Sequence, residues 1–180
     1  MTNHMTHDMT ARPTLEEVSG YFRQFVDAVR DGSIVDTLTD QGALMADFVV
    51  TLTDEQLDHA YEPGKWSLRQ VLRHVIDCER VFYYRALCFA RGEVTEQPGF
   101  DHNGWNQGMA AETSSPEQLA DEWRHLRTSV VDLFASLSPE AWDRSGVANG
   151  SSLSVRAVAW ILAGHADHHV SFIGEHYLTA

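Results

Sequence analysis

Residues 151–178 read SSLSVRAVAWILAGHADHHVSFIGEHYL, and the fold turns on this stretch. Ser151 or Ser152 is placed to cap a helix that runs to about Leu178. Val155, Val158, Ala159, Leu162, Ala166, Phe172 and Ile173 recur at helical spacing and mark one buried face. His165 and His169 lie four residues apart on that face, one turn apart, and His176 continues the row. The helix therefore points imidazoles where packing alone would call for leucines. Each must find a partner, because a buried polar group left unpaired is costly.

Working outward, three more long helices come from the same signals. Ser67-Leu68-Arg69-Gln70 is a capping box opening a helix that runs to about Arg91 and stops at Gly92, with Leu68, Val71, Leu72, Val75, Phe82 and Phe89 on one face. Ser115-Pro116-Glu117-Gln118 joins a capping box to proline at the first helical position, and Leu119, Trp123, Leu126, Val130 and Leu133 follow as the buried stripe. Residues 34–52 carry a weaker pattern, interrupted by Gly42 and several threonines. Thr14-Leu15-Glu16-Glu17 opens a short lead-in helix expected to end near Gly32. Residues 53–66 read as an extended or turning connector closing on Glu62-Pro63-Gly64, and a short helical turn is expected around Ser138 to Trp142. The stretch 93–114 has no sustained period and reads as a long ordered loop. No segment alternates with period 2, so the class is all-α, an up-and-down four-helix bundle with a lead-in helix.

A chain of 180 residues with 43% hydrophobic and 22% charged residues suits one soluble domain, expected over 13–180 after a disordered tail at 1–12. That tail has no apolar run, so neither a secretory signal nor a membrane anchor is expected, and the chain is expected in the cytoplasm. Against 26 acidic residues stand twelve arginines and the single Lys65, a net charge of −13 with no basic stripe. Such a surface repels phosphate backbones and anionic headgroups, so nucleic acid and membrane are excluded as partners. Cys78 and Cys88 are ten residues apart on one helix, roughly 15 Å at 1.5 Å per residue, beyond the reach of a disulfide. Free thiols fit a reducing compartment.

The histidines carry the chemistry. His74 lies at the edge of the buried face of the second long helix, so two helices can bring one and two imidazoles to a common point. Neutral imidazoles bind zinc, nickel or ferrous iron, and three protein ligands leave a position open for water or substrate. The competing reading is a set of hydrogen-bonded core histidines, since an H-x-x-x-H pair alone recurs by chance. Ala166 stands where a zinc protease would carry glutamate, so that mechanism is absent. Glu122-x-x-His125 matches half of a di-iron motif without a second copy, and His125 falls on a polar face. His168 reads as a packing or interface residue, Cys78 as inert packing, and His176 lies too far from His169 to share an ion.

Tyr61-Glu-Pro-Gly-Lys-Trp-Ser67, the helix through Gln70-Val-Leu-Arg-His74, the Pro98-Gly-Phe-Asp101 loop and Gly164-His-Ala-Asp-His-His169 together resemble the DinB-like, YfiT-like family of metal-dependent bundles. The likeness spans roughly residues 34–178. It implies a four-helix bundle, often dimeric, with metal ligands at His74, His165 and His169. It also implies a transferase that joins a low-molecular-weight thiol of the bacillithiol, mycothiol or glutathione type to a small electrophile, or else a metal-dependent hydrolase. A bundle that holds a metal without turnover is the reading from another class. Asp101, Trp105 and Asn106, in the loop over the open face, are expected to contact substrate.

Overall fold

The computed structural model describes residues 11–18, 20–109 and 113–178. Four long helices form the bundle: α2 (Ile34–Val49), α4 (Leu68–Ala90), α6 (Pro116–Ala135) and α8 (Val155–His176). Local chemistry sets their ends. Ser33 accepts from the Asp36 amide to start α2. Ser67/Gln70 and Ser115/Gln118 each close a complete capping box, with Pro116 at the start of α6. Gly92, at φ 81°, takes the left-handed conformation that lets the chain turn away from α4.

α2 packs against α6 and α8, and α4 packs against the same two helices. Consecutive α2 and α4 thus sit across a diagonal, as do α6 and α8. In a simple meander, consecutive helices would be neighbours. Short helices fill the connections: α3 (Asp54–Asp58), α5 (His102–Gly108) and α7 (Pro139–Asp143). The connector 53–66, read as extended or turning, contains α3 because Thr53 and Gln56 form a capping box of their own.

Two other sequence expectations need correction. The lead-in helix from Thr14 is a turn, then a 3-10 turn at Gly20–Phe22, then α1 (Arg23–Ala28). Gly20 at φ 61° breaks the helix, and Glu17 serves both the Thr14 amide, at 2.8 Å, and the Ser154 hydroxyl, at 2.9 Å. The last helix is capped by Ser154, not Ser151 or Ser152, because those two begin a strand. That strand, β2 (Ser151–Ser154), pairs antiparallel with β1 (Ser145–Ala148) through a turn in which Asn149 and Gly150 both have positive φ, 50° and 71°. Asn-Gly is the favoured pair for such a turn.

Residues 1–10 of the expected tail lie outside the described residues. Arg12 is anchored: it donates to the Val26 and Val29 carbonyls, pairs with Asp31 and stands 4.7 Å over the Trp160 ring. Cys78 and Cys88 are both free thiols. Among the described residues no helix is long and apolar enough to cross a membrane.

The apolar core falls into two clusters. One gathers Leu38, Phe82, Val130 and Leu162 with α1, α7 and the hairpin. The other gathers Met45, Ile76, Trp123 and Ala166. Between these levels every long helix carries a glycine or a polar residue: Gly42, Glu79, Arg127 and His165. Glu79 and Arg127 form an ion pair with 2% exposure on each side chain, Nε to Oε1 at 2.9 Å. This approach is a charge contact, while Nη2 donates a hydrogen bond to Oε2 at 3.2 Å. Gly42 is required there, since a Cβ would stand 2.7 Å from Arg127 Cγ.

Candidate metal centre

At this polar level α8 turns His165 and His169 toward His74 of α4. The His165 and His169 Nε2 atoms are 3.2 Å apart, and one ring nitrogen from each of the three histidines lies within 4.8 Å of the others. Three imidazoles on one ion at ~2.1 Å stand roughly 3 to 3.5 Å apart, so the α8 pair already has the required separation. His169 Nδ1 is buried without a hydrogen-bond partner. Among the described residues these three form the one His/Cys/Asp/Glu group close enough to hold a metal ion.

The electrostatics suit the same role. Burial, and then His102, lowers His74 to about 4. Burial, followed by His74 and His168, lowers His169 to about 3. His165 is also pushed well below the ordinary range, by burial first and then by His169, His74, His168 and Arg127. All three are neutral at neutral pH and can donate a lone pair, the form a metal binds.

Cys78 Sγ packs 3.6 Å from both ring nitrogens of His74 but falls outside the three-residue cluster. Burial, then the charges of Asp77 and Glu79 against the opposing pull of Arg85, raises its thiol to about 12, so it stays protonated.

Neighbouring aromatics fix the rings. Phe25 meets His165 edge-on at 5.4 Å, and Trp66 covers His74 at 5.2 Å. Gly164 makes the first contact possible: a Cβ there would lie 2.0 Å from the Phe25 carbonyl oxygen, so only glycine lets α1 approach α8 this closely. Tyr177 donates to the Trp66 carbonyl at 2.6 Å and ties the end of α8 to the connector bearing Trp66.

The triad opens on a cavity of about 370 Å³ walled by Phe22, Phe25, Trp66, Phe82 and Phe100, with Arg85 and His102 among its polar lining. A second cavity of about 310 Å³, bordered by Tyr61, Lys65, Phe172 and Tyr177, shares Trp66, His168 and His169 with the first. Among the described residues no carboxylate lines either one.

Asp101, Trp105 and Asn106 are not in those linings. Asp101 caps α5, accepting from the Asn103 and Gly104 amides at 3.1 and 3.0 Å. Trp105 packs on Phe100 at 4.7 Å and is itself partly exposed. Asn106 is buried and donates to the Gln70 carbonyl at 3.4 Å, docking α5 on α4. These three hold the loop, and Gly99, Phe100 and His102 face the cavity in their place. The hairpin sets this loop direction: Gln97 donates to the Val147 carbonyl at 2.8 Å and accepts from the Asn149 amide at 3.0 Å. Asn-Gly between two short Ser-containing runs was the available signal for the hairpin; nothing in the spacing marks which loop residues turn inward.

The remaining sequence candidates sit elsewhere. His168 is exposed and borders both cavities. His125 is exposed on α6, and Glu122 pairs with Arg73 and Arg80, so no di-iron site forms there. His176 stacks on Phe172 and Tyr61 at 4.4 and 5.0 Å.

Comparison with known proteins places these features in a wider group. The model of the DinB superfamily matches residues 37–173. A protein of Oceanobacillus iheyensis named "Putative metal-dependent hydrolase" is 26% identical over 163 residues, covering 89% of this chain and 85% of that protein. Another with the same description, YfiT of Bacillus subtilis, is 22% identical over 143 residues, covering 78% of this chain and 80% of its own. A solved structure of YfiT, described as a probable metal-dependent hydrolase with an unusual four-helix bundle topology, superposes with a TM-score of 0.71 at 23% identity. It covers 79% of this chain and 82% of that one, a likeness of fold.

Proposed function

This chain belongs to the DinB superfamily, and on that premise we propose that it is a metal-dependent enzyme joining a low-molecular-weight thiol to a small electrophile. His74, His165 and His169 hold the divalent ion. The donor set of three neutral imidazoles suits zinc first, and nickel or ferrous iron also. The bound ion supplies Lewis acidity, which stabilises a thiolate, or deprotonates water, at neutral pH.

The observation that carries this reading is the placement of the triad. His169 lies in a wall shared by two cavities, and no carboxylate among the described residues lines either. Two compartments at one reacting point fit two substrates. A nucleophile that arrives as a thiol brings its own proton, and imidazoles rather than carboxylates line the cavity to take it. The S–H proton leaves, sulfur bonds to the electrophilic carbon, and the displaced group departs with the electron pair of its broken bond. In this reading His102 and His168, both exposed and both in the lining, carry that proton. The aromatic walls disfavour water, which would compete for the electrophile.

Hydrolysis at the same centre is the second reading, favoured by the names that the relatives bear. The test is incubation of the metal-loaded protein with bacillithiol, mycothiol or glutathione and an alkylating electrophile, beside an ester and an amide substrate. Metal-dependent thiol consumption supports the transferase. Ester or amide cleavage without thiol consumption supports the hydrolase, and neither reaction leaves a metal-binding bundle. Elemental analysis tests the ligands directly: metal content should fall in His169→Ala, and equal content in both proteins would refute the triad.

A further inference from the structure

Five arginines are buried among the described residues: Arg69, Arg73, Arg85, Arg127 and Arg156. Four have carboxylate partners. Arg69 pairs with Asp54 and Asp58, Arg73 with Glu122, Arg127 with Glu79, and Arg156 with Glu17 and Asp143. Arg85 is the exception. It is 3% exposed, and among the described residues its guanidinium has no carboxylate partner and makes one hydrogen bond, from Nη2 to the Pro98 carbonyl at 2.7 Å. It stands over the rings of Phe82 and Phe100, at 5.0 and 5.8 Å, which compensate a cation only in part. A guanidinium has five N–H donors and stays charged, so a buried one without a counterion is an incomplete arrangement.

Arg85 lines the same cavity as the triad. Along α4, His74, Cys78, Phe82 and Arg85 fall on one stripe, at steps of four, four and three residues. The Cα atoms of His74 and Arg85 are roughly 16 Å apart along the axis, and helical side chains lean toward the N-terminus, so Arg85 leans toward His74.

We propose that Arg85 is the anchor for a carboxylate carried by the substrate, whose apolar body lies along the Phe22, Phe82 and Phe100 walls with its reacting end at the triad. A planar carboxylate matches the guanidinium fork with two parallel hydrogen bonds, and it supplies the counterion that no described residue provides. The substrate class is therefore a small aromatic or aliphatic acid. The anion site stands on Arg85 itself; only the statement of what reacts at the other end rests on the function proposed above.

The test is calorimetric titration of the full chain with phenylacetate and with its neutral isostere phenylacetamide, on metal-loaded and on chelator-treated protein. Phenylacetate should bind about tenfold tighter or better in both, the scale of a charge-assisted pair. Arg85→Gln should bring the two ligands to within about twofold of each other, and Arg85→Lys should keep part of the preference. An acid/amide ratio near one in the wild type overturns the proposal, as does a preference that survives in Arg85→Gln. A preference seen only with metal assigns the carboxylate to the ion and also overturns it. If Arg85→Gln fails to fold, the wild-type ratio with and without metal, and its change in Arg85→Lys, decide the matter. Loss of the triad's metal, read by elemental analysis, would leave this ratio unchanged, so the two proposals fail separately.

Discussion

His165 and His169 face each other across one turn of α8 with their Nε2 atoms 3.2 Å apart. Both are held neutral: burial lowers each, and the neighbouring imidazoles, His74 among them, lower each further. A chain that keeps histidines uncharged inside its bundle gives up the protons those groups would bind when unfolded.

The metal-free protein should therefore lose stability as pH falls. His74 and His169 drop from 6.5 to about 4 and about 3 in the folded state, so between pH 6.5 and about 4 the unfolded chain binds more protons. Their contribution is intact above 6.5 and is lost progressively down that window. Glu79, raised to about 7 by burial against the pull of Arg127, acts in the opposite direction over part of the range. The diagnostic is the difference between wild type and His169→Ala in urea titrations from pH 4 to 8. The variant should have the shallower loss on acidification, and parallel curves would contradict the assignment.

Gly164→Ala and Gly174→Ala test the packing of one helix at two points. A Cβ on Gly164 would lie 2.0 Å from the Phe25 carbonyl, backbone that cannot swing aside, whereas one on Gly174 meets nothing within 4 Å. The first should cost about 1–3 kcal/mol or more and weaken metal retention as Phe25 is pushed from His165. The second should be neutral or stabilise by up to about 1 kcal/mol. Thermal melts and metal content read both.

Arg127→Met should destabilise by about 3–5 kcal/mol, because it leaves Glu79 buried without its counter-charge. Glu79→Met combined with Arg127→Met should recover most of that loss, since two apolar side chains can fill the space an ion pair occupied. Chemical denaturation of the two variants checks the contrast; a double variant as unstable as the single would count against it.

Tyr177→Phe removes the 2.6 Å hydrogen bond to the Trp66 carbonyl. It should cost about 1 kcal/mol and loosen the connector that carries Trp66 over His74. Faster amide exchange across residues 61–66, with the α4 core unchanged, is the expected signature.

The elements easiest to read in the sequence were those closed by local interactions. Ser67 with Gln70, and Ser115 with Gln118, act over three residues, and their capping boxes form as the letters suggest. The lead-in helix failed for a reason equally local, a glycine at φ 61° inside an apparent period. The hairpin was harder, because its strands are four residues each, too short for alternation to show.

What the sequence determined alone was the set of four long helices and the placing of His165 and His169 on one turn of the last, because helix period and caps act within a few residues of the chain. The tertiary structure decided how those helices neighbour one another, that His74 meets the pair, and that His102, Phe100 and Arg85 border the cavity while Asp101, Trp105 and Asn106 do not. Those relations join residues tens of positions apart. They depend on how Gly42 and Gly164 let neighbouring segments approach and how the hairpin turns the loop inward, and no local period records either.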